Sequence, residues 1–367
     1  MVTFAIDLFN FVHRCIPKYP MKLSIITINY NNAEGLRKTL ASVASQTYAG
    51  IEHVIIDGGS SDNSIEVIRE YESSLASCHS PLASRLKWVS EKDKGIYNAM
   101  NKGLEIALGR RVVTADHNSL PIANNQSPIA KTDYIQILNS GDILVAPDVT
   151  ERMMVALQNK IKQQHQQHNI NNPSVVEQHT TTASENNTSS PYQNRPAILY
   201  GNMIKEYPDG HRVKDTCGGG DYTPESFLYF YRGTLNHDCA YVRGDLFEKY
   251  GLYNEQMKIC SDWEWYVRAI VLGNISPIYV NIDVTIFDMN GVSESAGKNK
   301  HIIQQERSEY LASAFPKAVI NDYNKYAFVL LQYQRLKKYN STTAFSGCNI
   351  YWNKNVLMLS GYGGQPR

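Results

Sequence analysis

From Met21 onward the chain alternates short apolar runs with amphipathic stretches. Leu23–Ile28 (LSIITI), Ile51–Ile56, Leu86–Val89 (LKWV) and Tyr134–Leu138 (YIQIL) read as buried strands. Between them, Leu36, Leu40, Val43 and Ala44 share one helical face behind Asn31, Asn32 and Glu34. Ile65, Val67 and Ile68 begin a second helix. Ile96, Ala99, Met100, Leu104 and Ala107 are spaced for burial on a third, over Gly95–Leu108. Strand–helix alternation of this kind predicts an α/β fold with a mostly parallel sheet flanked by helices. Such sheets bind ligands at the carboxyl ends of their strands. The loops after the strands carry Asp57, Asp93 and Asp142, so three carboxylates are expected to converge on one edge.

Further along, Ala197–Ile204 and Cys239–Val242 read as strands, Gly244–Tyr250 and Asp262–Leu272 as helices, and Ile275–Phe287 as β-rich. Residues 300–340 read as helical, and the last twenty carry little pattern. Two inserts interrupt the scheme. Arg110–Lys131 is polar and holds Pro121 and Pro128. Residues 163–172 (QQHQQHNINN) open a Ser/Thr/Asn-rich stretch to about Asn194, too polar to order itself; its histidines suit a solvated loop better than a metal site. The expected division is an N-terminal amphipathic segment 1–20, a first half 21–158 with an insert at 110–131, a low-complexity loop 159–196, a second half 197–295 and a helical extension and tail 296–367.

Composition narrows the classes. A chain of 367 residues holds about two domains at roughly 150 residues each. With 43% apolar residues it can bury a sizeable core, and 36 basic against 35 acidic residues leave a net charge of +1. No broad field exists to hold a polyanion, which disfavours nucleic acid as a partner. No apolar run approaches the roughly 18 residues that read as a membrane-spanning helix. Cys15, Cys78, Cys217, Cys239, Cys260 and Cys348 include no CxxC pair, against both a zinc site and a disulfide framework, so a reduced, cytoplasmic setting is expected. In MVTFAIDLFNFVHR, Thr3, Asp7, Asn10 and Arg14 recur at helical spacing without a basic leader or cleavage site. Three readings stand side by side there: peripheral association with the inner membrane face, a helix packed on the protein, or a true start at Met21.

Four polar clusters at strand ends carry the candidate chemistry. Thr27–Asn32 places polar groups and one aromatic where a planar base would lie, although Asn31 or Asn32 equally suits helix capping. In IIDGGSSDNS, Asp57 follows a buried strand and Gly58-Gly59 permits a tight turn; Ser61 or Asp62 suits the next cap. In SEKDKGIYNAMNKG, Asp93 precedes a Lys94-Gly95 turn, and Asn98 and Asn101 are one turn apart. In ILNSGD, Asp142 suits a divalent cation that wants oxygen ligands, with Asn139 a neutral neighbour.

In this order and spacing the four resemble the nucleotide-sugar half of family 2 glycosyltransferases, inverting enzymes with the GT-A fold. The greatest similarity is to those building bacterial surface polysaccharides of the colanic-acid or capsule type. The resemblance runs from about Met21 to Val292 outside the inserts. It implies a mostly parallel central sheet, a mixed acceptor-side subdomain and a helical C-terminal extension. It places Thr27, Tyr30 and Asn31 beside the base, and Asp57 on uracil or ribose. It puts Asp93 and Gly95 on the nucleotide, with Asn98 and Asn101 bordering the donor, and Asn139–Asp142 at an Mn²⁺ or Mg²⁺ ion. Asn139 and Gly141 stand where many members carry Asp, which leaves Asp142 as the one carboxylate of that motif.

Downstream, Asp262 in CSDWEWYVR falls at the position of the family's general base; without the resemblance, it reads as a charge complementing a helix dipole. Glu264 points elsewhere on a helix, and Arg268 is available to a carboxylate or phosphate. His237 in NHDCAYV reads equally as a contact of the diphosphate or metal and as a core or surface histidine, and Gly291-Val292-Ser293 resembles the loop closing over the donor. The implied activity is transfer of a hexosyl or N-acetylhexosaminyl group from a nucleoside-diphosphate sugar, a UDP-sugar by analogy, to a saccharide or lipid-linked saccharide. The alternatives are a catalytically impaired nucleotide-sugar-binding protein of the same fold, or a nucleotidyltransferase. The latter commonly carries a glycine-rich basic loop, which Leu23–Gly35 lacks.

Overall fold

A computed structural model describes residues 21–114, 116–119, 132–171, 195–217, 224–289, 299–339, 348–353 and 356–361. The N-terminal amphipathic segment, most of the 110–131 insert, residues 172–194 and Gly291–Ser293 lie outside these residues. The chain divides into two compact units, one through Tyr310 and one from Leu311 onward.

The first unit begins with β1 (Leu23–Asn29), α1 (Ala33–Ala44), β2 (Ile51–Asp57), α2 (Ser64–Ser77), β3 (Leu86–Ser90), α3 (Ile96–Ala107) and β4 (Tyr134–Ile137). Every residue of β1, β2 and β4 is buried, as a parallel sheet covered on both faces requires. Asn32 caps α1 through Oδ1, which accepts from the Gly35 amide at 3.1 Å. Leu36, Leu40 and Val43 are buried as their spacing predicts, with Thr39 beside them; Ala44 is exposed. On α3 the buried face is Tyr97, Ala99, Met100, Leu104 and Ala107, while Ile96 in the first turn stays 41% exposed.

The strands continue with β5 (Ile143–Leu144), β6 (Ile198–Glu206), β7 (Arg212–Asp215), β8 (Ala240–Arg243) and β9 (Ile278–Asp288). One nine-stranded sheet results, ordered β3-β2-β1-β4-β8-β6-β9-β5 with β7 on β6. Its first four strands are parallel. The next ladders, β4–β8 and β8–β6, are antiparallel, β6–β9 is parallel, and β9–β5 is antiparallel. The two expected halves are therefore continuous, joined at the β4–β8 ladder. Because β8 opposes β4, the segment entering β8 lies at the edge where β4 ends. Because β6 and β9 run the same way as β4, the end of β9 lies there too.

The helices after β5 are α4 (Val149–Asn171), α5 (Phe227–Arg232), α6 (Gly244–Tyr250), α7 (Ser261–Tyr266) and α8 (Lys300–Ala314), with α7 running into a π-helical turn at Val267–Leu272. α4 corrects the expected loop boundary at 159. Val149, Met153, Met154 and Leu157 anchor its first turns in the core. Once nucleated, the helix propagates through glutamines at little cost per residue. β5, β7 and α5 are too short for periodicity to reveal.

The break expected at 296 falls inside α8, between Tyr310 and Leu311. The second unit holds the end of α8, α9 (Lys317–Tyr339) and an antiparallel hairpin of β10 (Cys348–Asn353) and β11 (Val356–Gly361), where no pattern was expected. Among the described residues no helix is long and apolar enough to cross a membrane.

Candidate active site

At the end of β2, the Asp57 carboxylate is fully buried. Oδ1 accepts from Asn29 Nδ2 at 2.8 Å and from the Ser60 hydroxyl. Oδ2 accepts from the Gly59 and Ser60 amides at 3.1 and 2.9 Å and from Ser90 Oγ at 2.7 Å. A carboxylate offers about four lone-pair sites, and these five bonds occupy them. Asp57 ties the ends of β1, β2 and β3 together. Thr27, expected beside the base, lies within β1. Its side chain is wholly buried, with Oγ1 3.0 Å from His53 Nε2, and His53 Nδ1 is 3.0 Å from the Tyr71 hydroxyl.

Tyr30, Asn31 and Asp93 do reach the strand-end surface. Tyr30 is 64% exposed. Asn31 takes a left-handed φ of 49°, and its Oδ1 receives the Ser61 amide at 2.8 Å. Gly58 sits between these features: a Cβ there would collide with the Asp93 carboxylate and lie 3.3 Å from the Tyr30 ring. Half-burial raises the Asp93 carboxyl, opposed by the Gly95 amide it binds at 2.9 Å. Gly95 enters α3 at a φ of 124°. Asn98 and Asn101 grip the loop between α6 and α7. Asn98 Nδ2 donates to Glu255 Oε2 at 2.8 Å, and Asn101 Nδ2 to Glu255 Oε1 at 2.9 Å. Asn101 also exchanges hydrogen bonds with the Tyr253 backbone in both directions.

The ILNSGD loop meets the second half of the sheet. Asn139 Nδ2 lies 3.1 Å from His237 Nε2, and His237 Nδ1 lies 3.3 Å from Asp262 Oδ2. Asp262 Oδ1 receives the Tyr97 hydroxyl at 3.0 Å; that hydroxyl also contacts the Ile259 carbonyl. Asp262 thus accepts fewer hydrogen bonds than Asp57 and keeps spare acceptor capacity. The His237 and Asp262 side chains are 17% and 14% exposed, enough for a ligand to touch them. Burial opposes the charge on Asp262, but the His237 and Tyr97 bonds outweigh it and hold the carboxyl below its ordinary value. Burial likewise opposes the imidazolium, yet the Asp262 bond and the Asp238 and Asp142 charges raise His237. Among the described residues the buried Asn139 Oδ1 has no partner. Turning that amide over would set Oδ1 on a protonated Nε2, so Asn139 can serve either state of the ring.

Asp142 is 4% exposed and accepts the Asp288 amide at 3.0 Å. Its backbone carbonyl receives Thr39 Oγ1 at 2.7 Å. Burial pushes its carboxyl well up, and the Asp238 and Asp288 charges add to this. A cation would relieve that repulsion, and carboxylate oxygen is the donor chemistry that Mg²⁺ or Mn²⁺ prefers. Among the described residues no three His, Cys, Asp or Glu side chains gather to hold a metal. Asp142 is the residue that would hold such a cation. Glu264 and Arg268 form an internal pair at 2.8 Å, away from this chain of contacts. Tyr97, Asp238 and Asp288 were missed in sequence. Tyr97 carried a signal, inside GIYNAMNKG; Asp238 and Asp288 depend on strand order.

Residues 24–120 match the family model of glycosyl transferase family 2. An uncharacterised glycosyltransferase of Mycobacterium tuberculosis is 34% identical over 273 residues, 74% of this chain and 76% of the relative. The chain belongs to glycosyl transferase family 2. A second relative of this glycosyltransferase is the PGL/p-HBAD biosynthesis glycosyltransferase of Mycobacterium bovis, 21% identical over 283 residues, 77% of this chain and 81% of the relative. The crystal structure of residues 1–349 of S. aureus TarS in complex with UDP-GlcNAc shares the fold, at a TM-score of 0.50 and 15% identity, over 83% of this chain and 70% of that one. The architecture is the GT-A fold, and the protein is a glycosyltransferase enzyme.

Proposed function

We propose that this glycosyltransferase inverts configuration as it moves a hexosyl or N-acetylhexosaminyl group from a nucleoside-diphosphate sugar, a UDP-sugar, to a hydroxyl of a saccharide or lipid-linked saccharide in surface-polysaccharide synthesis. The observation that carries this reading is the contact chain from Asn139 through His237 to Asp262. It joins the family's metal motif to its base helix within hydrogen-bond distances. TarS, of like fold, was solved with UDP-GlcNAc, which supports the donor class, and the Mycobacterium bovis relative is named for PGL/p-HBAD biosynthesis.

In this mechanism Tyr30 and Asp93 flank the nucleotide beside Gly58. Asp142 would hold a divalent cation, which when bound supplies Lewis-acid stabilisation of the departing diphosphate. Asp262 takes the proton of the incoming hydroxyl through its spare oxygen capacity, help typically worth about 10²–10⁴ in rate. His237 and Tyr97 aim that carboxylate and keep it ionised at neutral pH. Base and leaving group then act from opposite sides of the anomeric carbon, so one displacement inverts it without a sugar–enzyme bond.

The test is a panel of UDP- and GDP-sugars with the purified protein, scored by nucleotide release with and without Mn²⁺. Release from a UDP-sugar, raised by Mn²⁺, supports the reading. Donor binding without release in any member would favour the binding-protein alternative.

A further inference from the structure

The loop that delivers Asp262 is held by a carboxylate far away in sequence. Glu306 lies on α8 and accepts three consecutive backbone amides, those of Lys258, Ile259 and Cys260. The Ile259 and Cys260 bonds are 3.1 and 2.9 Å to the same Oε2. Successive amides that converge on one point form an anion-binding concavity, and here the chain's own carboxylate fills it. The Cys260 thiol is 3.9 Å from the Ile303 carbonyl, one turn earlier on α8, and the Arg307 guanidinium lies 4.9 Å over the Trp263 ring. Tyr97 also contacts the Ile259 carbonyl and Asp262 itself. Only Ser261 separates Cys260 from Asp262, so displacement of this turn must displace the carboxylate.

We infer that Glu306 is a positioning residue for Asp262, and that the first turns of α8 belong to the catalytic apparatus. The inference rests on Asp262 acting as the base. Three charge-assisted bonds fix the 258–260 turn in one conformation. Without them the turn samples others, and a displacement of about 1 Å at a reacting group can cost about 10²-fold in rate. Donor contacts at Tyr30 and Asp93 come from other loops, so donor affinity is independent of Glu306.

The experiment compares Glu306→Gln and Glu306→Ala with Asp262→Asn and a Ser308→Ala control on the same helix. Turnover is read as UDP release from the UDP-sugar that the donor panel identifies, and amide hydrogen exchange is followed over residues 258–260. Glu306→Gln is expected to lower kcat about tenfold and Glu306→Ala about 10²-fold, with donor KM within twofold of wild type. Exchange at 258–260 should speed at least tenfold while the melting temperature and the exchange of β1 stay unchanged. Ser308→Ala should match wild type in every readout. The inference is overturned if exchange at 258–260 is unchanged in Glu306→Gln, or if kcat stays within twofold of wild type while Asp262→Asn is inactive. Near-normal turnover by Asp262→Asn removes the base reading instead. Should Glu306→Ala not fold, Glu306→Gln, which keeps size and helix propensity, decides the matter.

Discussion

His237 Nδ1 lies 3.3 Å from Asp262 Oδ2, across 25 residues of sequence, while its Nε2 faces Asn139 from a different strand end. The pair gives Asp262 a fixed direction and a stable charge. Asp262→Asn is expected to lower nucleotide release by about 10²–10⁴, with donor binding by calorimetry retained. His237→Gln should cost less, about 10²-fold, through lost orientation. An Asp262→Asn protein that turns over near the wild-type rate would remove the base assignment.

The Asp142 carboxyl is buried among like charges, an arrangement a cation would stabilise. Chelator is expected to abolish turnover, and added Mn²⁺ to restore it. Asp142→Ala should lose the Mn²⁺-dependent part of donor binding. Wild-type turnover that is indifferent to chelator defeats this expectation.

Gly58 leaves room for Asp93 beside Tyr30. Gly58→Ala is expected to push the Asp93 carboxylate aside and raise donor KM about tenfold, the size of one lost hydrogen bond to a charged group. Because Asp262 is held by other elements, kcat should stay within twofold. An unchanged donor KM would show that Asp93 does not contact the nucleotide.

His53 is buried against Thr27 and Tyr71, and burial pushes its imidazole down to about 3. An unfolded histidine titrates near 6.5. Above that pH the ring is neutral in both states and carries no penalty. As pH falls from about 6.5 toward 3, the unfolded chain gains a proton that the folded one refuses. Stability is then lost at up to about 1.4 kcal/mol per pH unit. Melting temperatures between pH 7.5 and 4.5 should fall less steeply in His53→Gln than in wild type. Equal slopes would rule out His53 as the group responsible.

Local chemistry made much of this molecule readable from its residues. The β1–α1–β2–α2–β3–α3–β4 order follows from period-2 and period-3.6 apolar spacing, which depends only on near neighbours. The motif loops could be located because turns need particular residues, such as Gly58, Gly95 and Gly141. The same reading did not foresee that Thr27 and Asp57 bond to neighbouring strands. A polar residue at a strand end faces either the ligand edge or a neighbouring strand, and one sequence does not distinguish the two. The 159–171 segment misled because helix propagation depends on an anchored start at Val149–Leu157 as well as on its own composition.

Residue pattern alone specified the strands and helices of the first half and the strand-end loops that carry Asp57, Asp93 and Asp142. Which of those carboxylates stay open to a ligand was decided by the fold. Antiparallel insertion of β8 next to β4 carries His237 to the edge where Asn139 lies, and the clasp of Tyr97 and Glu306 on the 258–260 turn brings Asp262 to meet it. These contacts join residues tens to more than a hundred positions apart, and strand order, which no local periodicity encodes, is what sets them side by side.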